Sequence, residues 1–238
     1  MKGYSLHIGL NTVDKNAYKP YSIPDLLGCH NDAKSMKAIA EKLGYQTQLL
    51  LDDQATSAQV VNSIVKTSLL LQNGDIFLLT YSGHGSQVLD QNKDEDDGLD
   101  ETWVLYDKQL IDDMLFALLS NLPANSRLVV ISDSCHSGTI VRNINPVKVT
   151  EKQEKLATLK ASGVLISGCQ DHQYSYDGAV NGLFTEKLLK VWNDGNFKGT
   201  YKQFTTAITK LLPRQQRPNY LSFGAKNLKF VRQKPFTI

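Results

Sequence analysis

The sequence predicts an α/β fold: a mostly parallel central sheet with helices on both faces. Apolar runs of strand length at residues 5–10, 46–51, 75–81, 128–131 and 163–169 alternate with segments of helical spacing. The runs at 76–79 and 128–131, IFLL and LVVI, are continuously apolar, as in strands covered on both faces. Both runs then break into small polar loops carrying one reactive residue each, His84 and Cys135. In open α/β sheets that carboxyl edge is where ligands bind.

Residues 5–10 read as the first strand, and the following segment with Pro20 and Pro24 as loop. A helix follows, with Asn31 or Asp32 as a plausible N-cap, Ala33, Met36, Ile39, Ala40 and Leu43 on one stripe, and Gly44 placed to end it. Residues 46–51 make a second strand. Thr56 or Ser57 caps a helix carrying Val60, Ile64, Leu69 and Leu70, and the Asp75 strand comes next. An acidic insertion at 90–101 holds seven carboxylates, and 102–106 reads as a short strand leaving it. A helix over 112–122 and a turn at 123–126 lead into the Cys135 strand. Residues 139–154 show no period and read as an exposed loop, whose Arg142, Lys148 and Lys152 make it a candidate for self-cleavage. After the strand at 163–169 come helices over 183–192 and 201–212, a loop at 214–219 and a last strand at 220–223.

With 238 residues and no internal repeat, a single domain is expected over 1–238. Lys and Arg total 26 against 24 Asp and Glu, a net charge of +2, too balanced for nucleic acid or a membrane surface as the main partner. No run approaches the roughly 20 apolar residues of a membrane span, and the first residues do not read as a signal peptide. Three cysteines, Cys29, Cys135 and Cys169, with no CxxC pair, fit reduced thiols in a cytoplasmic setting and argue against a disulfide scaffold or structural zinc.

Taken singly, a cysteine at a strand end is usually a small hydrophobe and a histidine between glycines a turn residue. Together, at two strand ends and flanked by glycine or serine, they are the minimum apparatus for nucleophilic acyl chemistry. Gly85, directly after His84, is placed to offer an N–H to a developing oxyanion.

The motifs Tyr81-Ser82-Gly83-His84-Gly85 and Asp133-Ser134-Cys135-His136-Ser137-Gly138 resemble the two catalytic motifs of caspase-like cysteine peptidases, in particular the metacaspase and bacterial orthocaspase branch. Leu27-Gly28-Cys29-His30-Asn31-Asp32-Ala33 resembles that branch's first motif, and Gly182-Leu183-Phe184-Thr185 the segment opening a helix in its small-subunit region. The likeness runs in order over nearly the whole chain. It implies a caspase-like fold, with residues 1–141 resembling the large subunit, 142–160 an exposed loop and 161–238 the small subunit. It implies Cys135 as nucleophile, His84 as general acid/base, and an oxyanion on the N–H groups of Gly85 and Cys135. The family is described as using a dyad, so no third residue is required. His136 neighbours the nucleophile in sequence, but its side chain is expected to point away from the Cys135 face.

Asp133 and Cys135 are two apart at a strand end and share a face, which sets a carboxylate beside the nucleophile. Asp32 is expected near the switch point of the sheet, unless it serves only as a helix cap. Two carboxylates attract a cation. In metacaspases the residues matching Cys29, Asp32, Ser82 and Asp133 line the primary specificity pocket, so the resemblance implies protein or peptide substrates cut after Arg or Lys. Cys169 and Asp171 are expected at the rim, with Asp177 a weaker candidate for shaping the site. Trp103 and Trp192 read as core or cleft-wall aromatics.

The acidic insertion matches an EF-hand count at Asp90, Asn92, Asp94 and Glu101 but carries Glu95 where glycine belongs. The family's own calcium ligands correspond to Asp100, Asp112 and Asp113, with a further position falling near Arg142, which does not ligate a cation. No cofactor is therefore expected to be required. The rivals are a non-catalytic interaction module of this fold and another hydrolase or acyltransferase sharing the Cys–His pair.

Overall fold

The computed structural model describes residues 1–89, 99–134, 159–168 and 180–238. Its main sheet has six strands in the order β2-β1-β3-β7-β8-β9: β1 (Gly3–Gly9), β2 (Gln46–Leu51), β3 (Ile76–Ser82), β7 (Arg127–Asp133), β8 (Ser162–Ser167) and β9 (Asn219–Gly224). The first five pair in parallel, and β9 closes the edge antiparallel to β8. The four central strands are buried along their whole length, which is why they read as continuous apolar runs. The chain leaves β1 for β2 on one side and reaches β3 on the other, so the sheet's switch point lies between β1 and β3.

Helices cover both faces. On one lie α1 (Cys29–Lys42), α4 (Leu183–Trp192), α5 (Tyr201–Leu211) and α6 (Leu228–Arg232), packing Met36, Phe184, Leu188, Phe204 and Phe230 onto Leu78, Val129 and Ile131. On the other, α2 (Ser57–Leu70) and α3 (Asp112–Leu119) bury Val60, Ile64 and Leu115 with Leu79 and Val130. Each such aliphatic or aromatic side chain contributes about 1.5–3 kcal/mol by leaving water. Thr56 caps α2 through the Gln59 N–H, and Thr200 and Gln203 form a capping box on α5. Gly44 follows α1 at φ +85°, the left-handed conformation that ends a helix.

Three expectations need correction. Neither Asn31 nor Asp32 caps α1: the N-cap is Gly28, and Asp32 sits one turn into the helix, its N–H bonded to the Gly28 carbonyl. Leu69 and Leu70 end α2 facing solvent, while Leu71 turns into the core. The strand expected at 102–106 starts earlier and ends at Val104, and it belongs to a separate three-stranded antiparallel sheet, β4 (Gly85–Leu89), β5 (Leu99–Val104) and β6 (Gln109–Ile111), in the order β4-β5-β6. The sequence hid β4 because Gly85-Ser86-Gln87 has no apolar alternation, and β6 because it is three residues long. Trp103 and Trp192 are both core residues. No helix among the described residues is long and apolar enough to cross a membrane.

Candidate active site

The carboxyl ends of β1, β3 and β7 lie side by side, with Gly9 in register with Ser82 and Ser82 with Asp133. Alternation along the strands sends Ser82 and Asp133 to the α1 side, following Leu78 and Ile131, and sends Tyr81 and Ser132 to the opposite side. The start of α1 presses onto the end of β1. A Cβ on Gly9 would lie 2.5 Å from the Cys29 carbonyl oxygen, so only glycine admits the buried Cys29 turn at this distance.

That approach delivers Asp32 to the strand ends. Its Oδ2 accepts from Ser82 Oγ at 2.8 Å, its Oδ1 from Asn181 Nδ2 at 2.8 Å, and both oxygens from the Gly182 N–H at 3.1 and 3.2 Å. Asp133 Oδ2 accepts from Thr185 Oγ1 at 2.8 Å and from the Thr185 N–H at 3.3 Å. The two carboxylates therefore meet at the start of α4, where free N–H groups and the helix dipole favour negative charge. Gly182 stands between them: a Cβ there would sit 2.8 Å from Asp133 Oδ2 and 3.0 Å from Asp32 Oδ2. Both acids are buried. Burial, and then the neighbouring Asp133, push the Asp32 carboxyl up to about 7, against the opposing pull of the Asn181, Ser82 and Gly182 hydrogen bonds.

On the other side of the same edge, His84 leaves β3 through Gly83, where a Cβ would meet the Tyr81 hydroxyl at 2.6 Å. The ring Nε2 lies 2.8 Å from the Pro24 carbonyl oxygen. A carbonyl only accepts, so Nε2 carries a proton, and in the neutral ring Nδ1 is left as the base. Beneath it, Tyr81 stacks on Trp103 with centroids 4.5 Å apart. The Tyr81 hydroxyl donates to the carbonyls of His84 and Val104. Trp103 Nε1 donates to Ser132 Oγ at 3.1 Å, which lies 3.2 Å from Ser134 Oγ. This brace ties the His84 turn to the end of β7, immediately before Cys135.

Gly85 opens β4 opposite Trp103, and the Val104 N–H donates to the His84 carbonyl. Bonded and non-bonded pairs alternate in an antiparallel ladder. Gly85 and Trp103 are therefore a non-bonded pair, and Gly85, Gln87 and Leu89 turn their N–H and C=O groups away from β5.

The structure thus brings Asp32, Ser82 and Asp133 together, with Cys29 at the adjacent helix start and His84 and Gly85 across the strand ends. Cys135, His136, Cys169, Asp171, Asp177, the 139–154 loop and most of the acidic insertion lie outside the described residues. Asp100 lies buried on β5, and Asp112 buried at the start of α3, where its Oδ1 accepts from the Asp113 N–H at 2.9 Å. No group of three or more His, Cys, Asp or Glu side chains placed to hold a metal occurs among the described residues. Sequence reasoning missed Asn181, the Gly182 N–H, Thr185 and the Pro24 carbonyl. The Gly182-Leu183-Phe184-Thr185 motif pointed at two of them; a main-chain carbonyl in a proline loop leaves no side-chain signal.

Residues 12–229 match the family model described as the caspase domain of peptidase family C14. The chain belongs to this caspase-domain family. It is 34% identical to metacaspase-1 of Mycosarcoma maydis over an alignment covering 93% of this chain and 70% of that protein, which places the domain on the metacaspase branch. A crystal structure of a protein from Geobacter sulfurreducens superposes with a TM-score of 0.87 at 42% identity, covering 100% of this chain and 99% of that one. The crystal structure of caspase-1 from Spodoptera frugiperda shares the fold, with a TM-score of 0.64 at 12% identity over 98% of this chain and 91% of that one. The caspase domain described here spans 32 to 42% of the length of several metacaspases that it matches in Cryptococcus neoformans, Arabidopsis thaliana and Neurospora crassa.

Proposed function

We propose that this chain is a cysteine endopeptidase that cuts peptide bonds after Arg or Lys. The observation that carries this reading is the convergence of Asp32 and Asp133 on Gly182, beside the strand-end turn that bears His84. Burial and the neighbouring Asp133 raise the Asp32 carboxyl to about 7, because two adjacent buried carboxylates resist ionising together, and an entering cation relieves that repulsion. An entering guanidinium displaces that proton and forms charge-assisted, bidentate hydrogen bonds; an ammonium binds as a point charge with fewer fixed contacts.

In the proposed reaction His84 Nδ1 takes the Cys135 thiol proton while the Pro24 carbonyl holds Nε2–H and fixes the ring. The thiolate adds to the scissile carbonyl carbon, and the oxyanion rests on the N–H groups of Gly85 and Cys135. Collapse breaks the C–N bond as His84 returns its proton to the leaving amine. Water, deprotonated by His84, then hydrolyses the thioester, releasing the acid and the thiol. Protein or peptide substrates carrying basic residues are the partners this chemistry takes.

Matched reporter peptides ending in Arg, Lys, Asp or Leu test the reading, with wild type and Cys135→Ala side by side. Turnover of Arg over Lys, none of Asp, and loss of both in the variant are expected. A preference for Asp, or undiminished turnover by folded Cys135→Ala, overturns it.

A further inference from the structure

A cleft of about 890 Å³ opens on the side of the sheet edge opposite the two carboxylates. One wall is drawn from residues 17–24, including Tyr18, Ile23 and Pro24; the other is His84 and the whole of β4, continued by Val104, Lys108, Gln109 and Ile111. Its size is in the upper range of ligand sites, about 300–1,000 Å³. β4 is the edge strand of its sheet among the described residues. With the Gly85 N–H assigned to the oxyanion, the Gly85 C=O and the N–H and C=O groups of Gln87 and Leu89 are the outward groups left as a template for an added strand. Among the described residues the Tyr21 N–H bonds the Tyr18 carbonyl and the Tyr18 hydroxyl the Leu105 carbonyl, while the Pro24 carbonyl meets the His84 ring and joins the two walls at that end.

We propose that this cleft receives the substrate residues that follow the cut, as an extended strand added parallel to the free edge of β4. The proposal rests on the peptidase reading above. A general acid must reach the nitrogen that leaves, and that nitrogen belongs to the first residue after the cut. His84 lines the mouth of the cleft, while the pocket for the preceding basic side chain lies across the strand ends. The peptide beyond the cut therefore starts at His84 and runs away from it, in the direction β4 itself runs. Five residues of β4 span roughly 16 Å at about 3.3 Å per residue, enough for four or five substrate residues. Main-chain pairing makes the site tolerant of sequence after the cut, in contrast to the charge selection before it.

Two substrate sets test this. One carries Arg directly before an aminocoumarin reporter, with nothing peptidic after the cut. The other comprises internally quenched peptides with the same residues up to Arg and one to five residues after it. In the wild type, kcat/KM is expected to rise about tenfold or more as the segment after the cut lengthens, each net hydrogen bond adding up to about tenfold. N-methylation of that segment is expected to cost most at alternate residues. Gln87→Pro removes one outward N–H without touching the β4–β5 ladder, so it abolishes the gain from lengthening while reporter hydrolysis stays unchanged. Gln87→Ala keeps the N–H, loses the side-chain bond to Glu101, and retains the gain. The proposal is overturned if lengthening after the cut gives no gain, or if N-methylation has no position dependence in the wild type, a result independent of whether Gln87→Pro folds. Equal losses on both substrates in Gln87→Pro overturn it too. Wild type that hydrolyses neither set fails the peptidase reading itself, and the cleft assignment with it; hydrolysis of the reporter without a length effect fails the cleft alone.

Discussion

Two regions flank the ends of β3 and β7 and are built in opposite ways. The acidic pocket is made of side chains: Asp32, Ser82, Asp133, Asn181 and Thr185 are locked to one another and to the first N–H groups of α4. It is buried, acidic and tightly determined. The cleft beside β4 is wide and half open, with residues 17–24 on one side and, on the other, a strand that turns backbone N–H and C=O groups outward. A buried charge is costly to leave unpaired, so a pocket of this kind discriminates sharply by chemistry. A strand edge offers every sequence the same N–H and C=O groups, so it orients a chain without choosing among side chains. The contrast predicts an enzyme strict on one side of the cut and permissive on the other.

The largest expected effect falls on the proposed catalytic pair. Cys135→Ala or His84→Ala is expected to lower amide turnover by up to about a millionfold, as for other covalent hydrolases, with an unchanged circular dichroism spectrum. Folded variants that retain substantial turnover would show that the two regions serve some other chemistry.

Next comes the pocket's charge. Asp32→Asn is expected to cost about 2–5 kcal/mol, tens- to thousands-fold in kcat/KM on Arg peptides, while alkylation of the thiol by a small uncharged reagent proceeds as in wild type. Arg turnover untouched by this change removes the acidic pocket from the account. Gly182→Ala probes the same place by shape. Its methyl enters within 2.8 and 3.0 Å of two held carboxylate oxygens, an overpacking expected to cost about 1–3 kcal/mol by denaturant unfolding and to weaken Arg over Leu selection. Wild-type stability together with wild-type selectivity contradicts the observed convergence.

The pH response separates the regions more gently. Asp32 holds its proton up to about 7, so kcat/KM for Arg peptides is expected to rise with pH through that value, with this limb missing in Asp32→Asn. The sign for stability is opposite. The folded carboxyl binds its proton more tightly than the ordinary value of 3.8, so its contribution is fully present below that value and is lost as pH rises through about 7. Chemical unfolding of wild type and Asp32→Asn at pH 5 and 8 measures it; a larger wild-type advantage at pH 8 contradicts the assignment. The smallest effect is reserved for calcium. Arg142 stands near the position where the family places a further ligand, and Asp112 already bonds the Asp113 N–H, so added calcium is expected to change activity by no more than about twofold. A large activation reversed by chelator would turn attention to Asp100, Asp112 and Asp113.

What could be read from the sequence follows the same division. β2 and α4 match their expected residues, because apolar spacing is a local property of side chains. The approach of Asp32 to Asp133 was expected from parity at the strand end and from the switch point, and Ser82 beside them only from the resemblance to metacaspases. The β4–β6 sheet was not, because Ser86 and Gln87 carry no strand pattern and their pairing depends on β5, which is distant in sequence from β4. Asn181 escaped, and Thr185 was flagged only as part of a motif with no role, because nothing local reveals that the start of α4 docks beside β7. Asp32 was open to a capping assignment because aspartate early in a helix usually caps; here Gly28 takes that position, and tertiary donors claim the carboxylate.

The Tyr81–Trp103 stack also has an optical consequence. The chain has two tryptophans, one in each layer flanking the sheet: Trp103 joined to Ser132 next to the reactive edge, and Trp192 among Phe204, Phe236 and the Lys234 ammonium. Replacing Trp192 by Phe leaves a single indole whose ring and N–H both belong to the brace beneath His84. Its emission colour and lifetime then follow the polarity and order of that edge alone. Arrival of a peptide is thereby visible without a label and before any bond is cut.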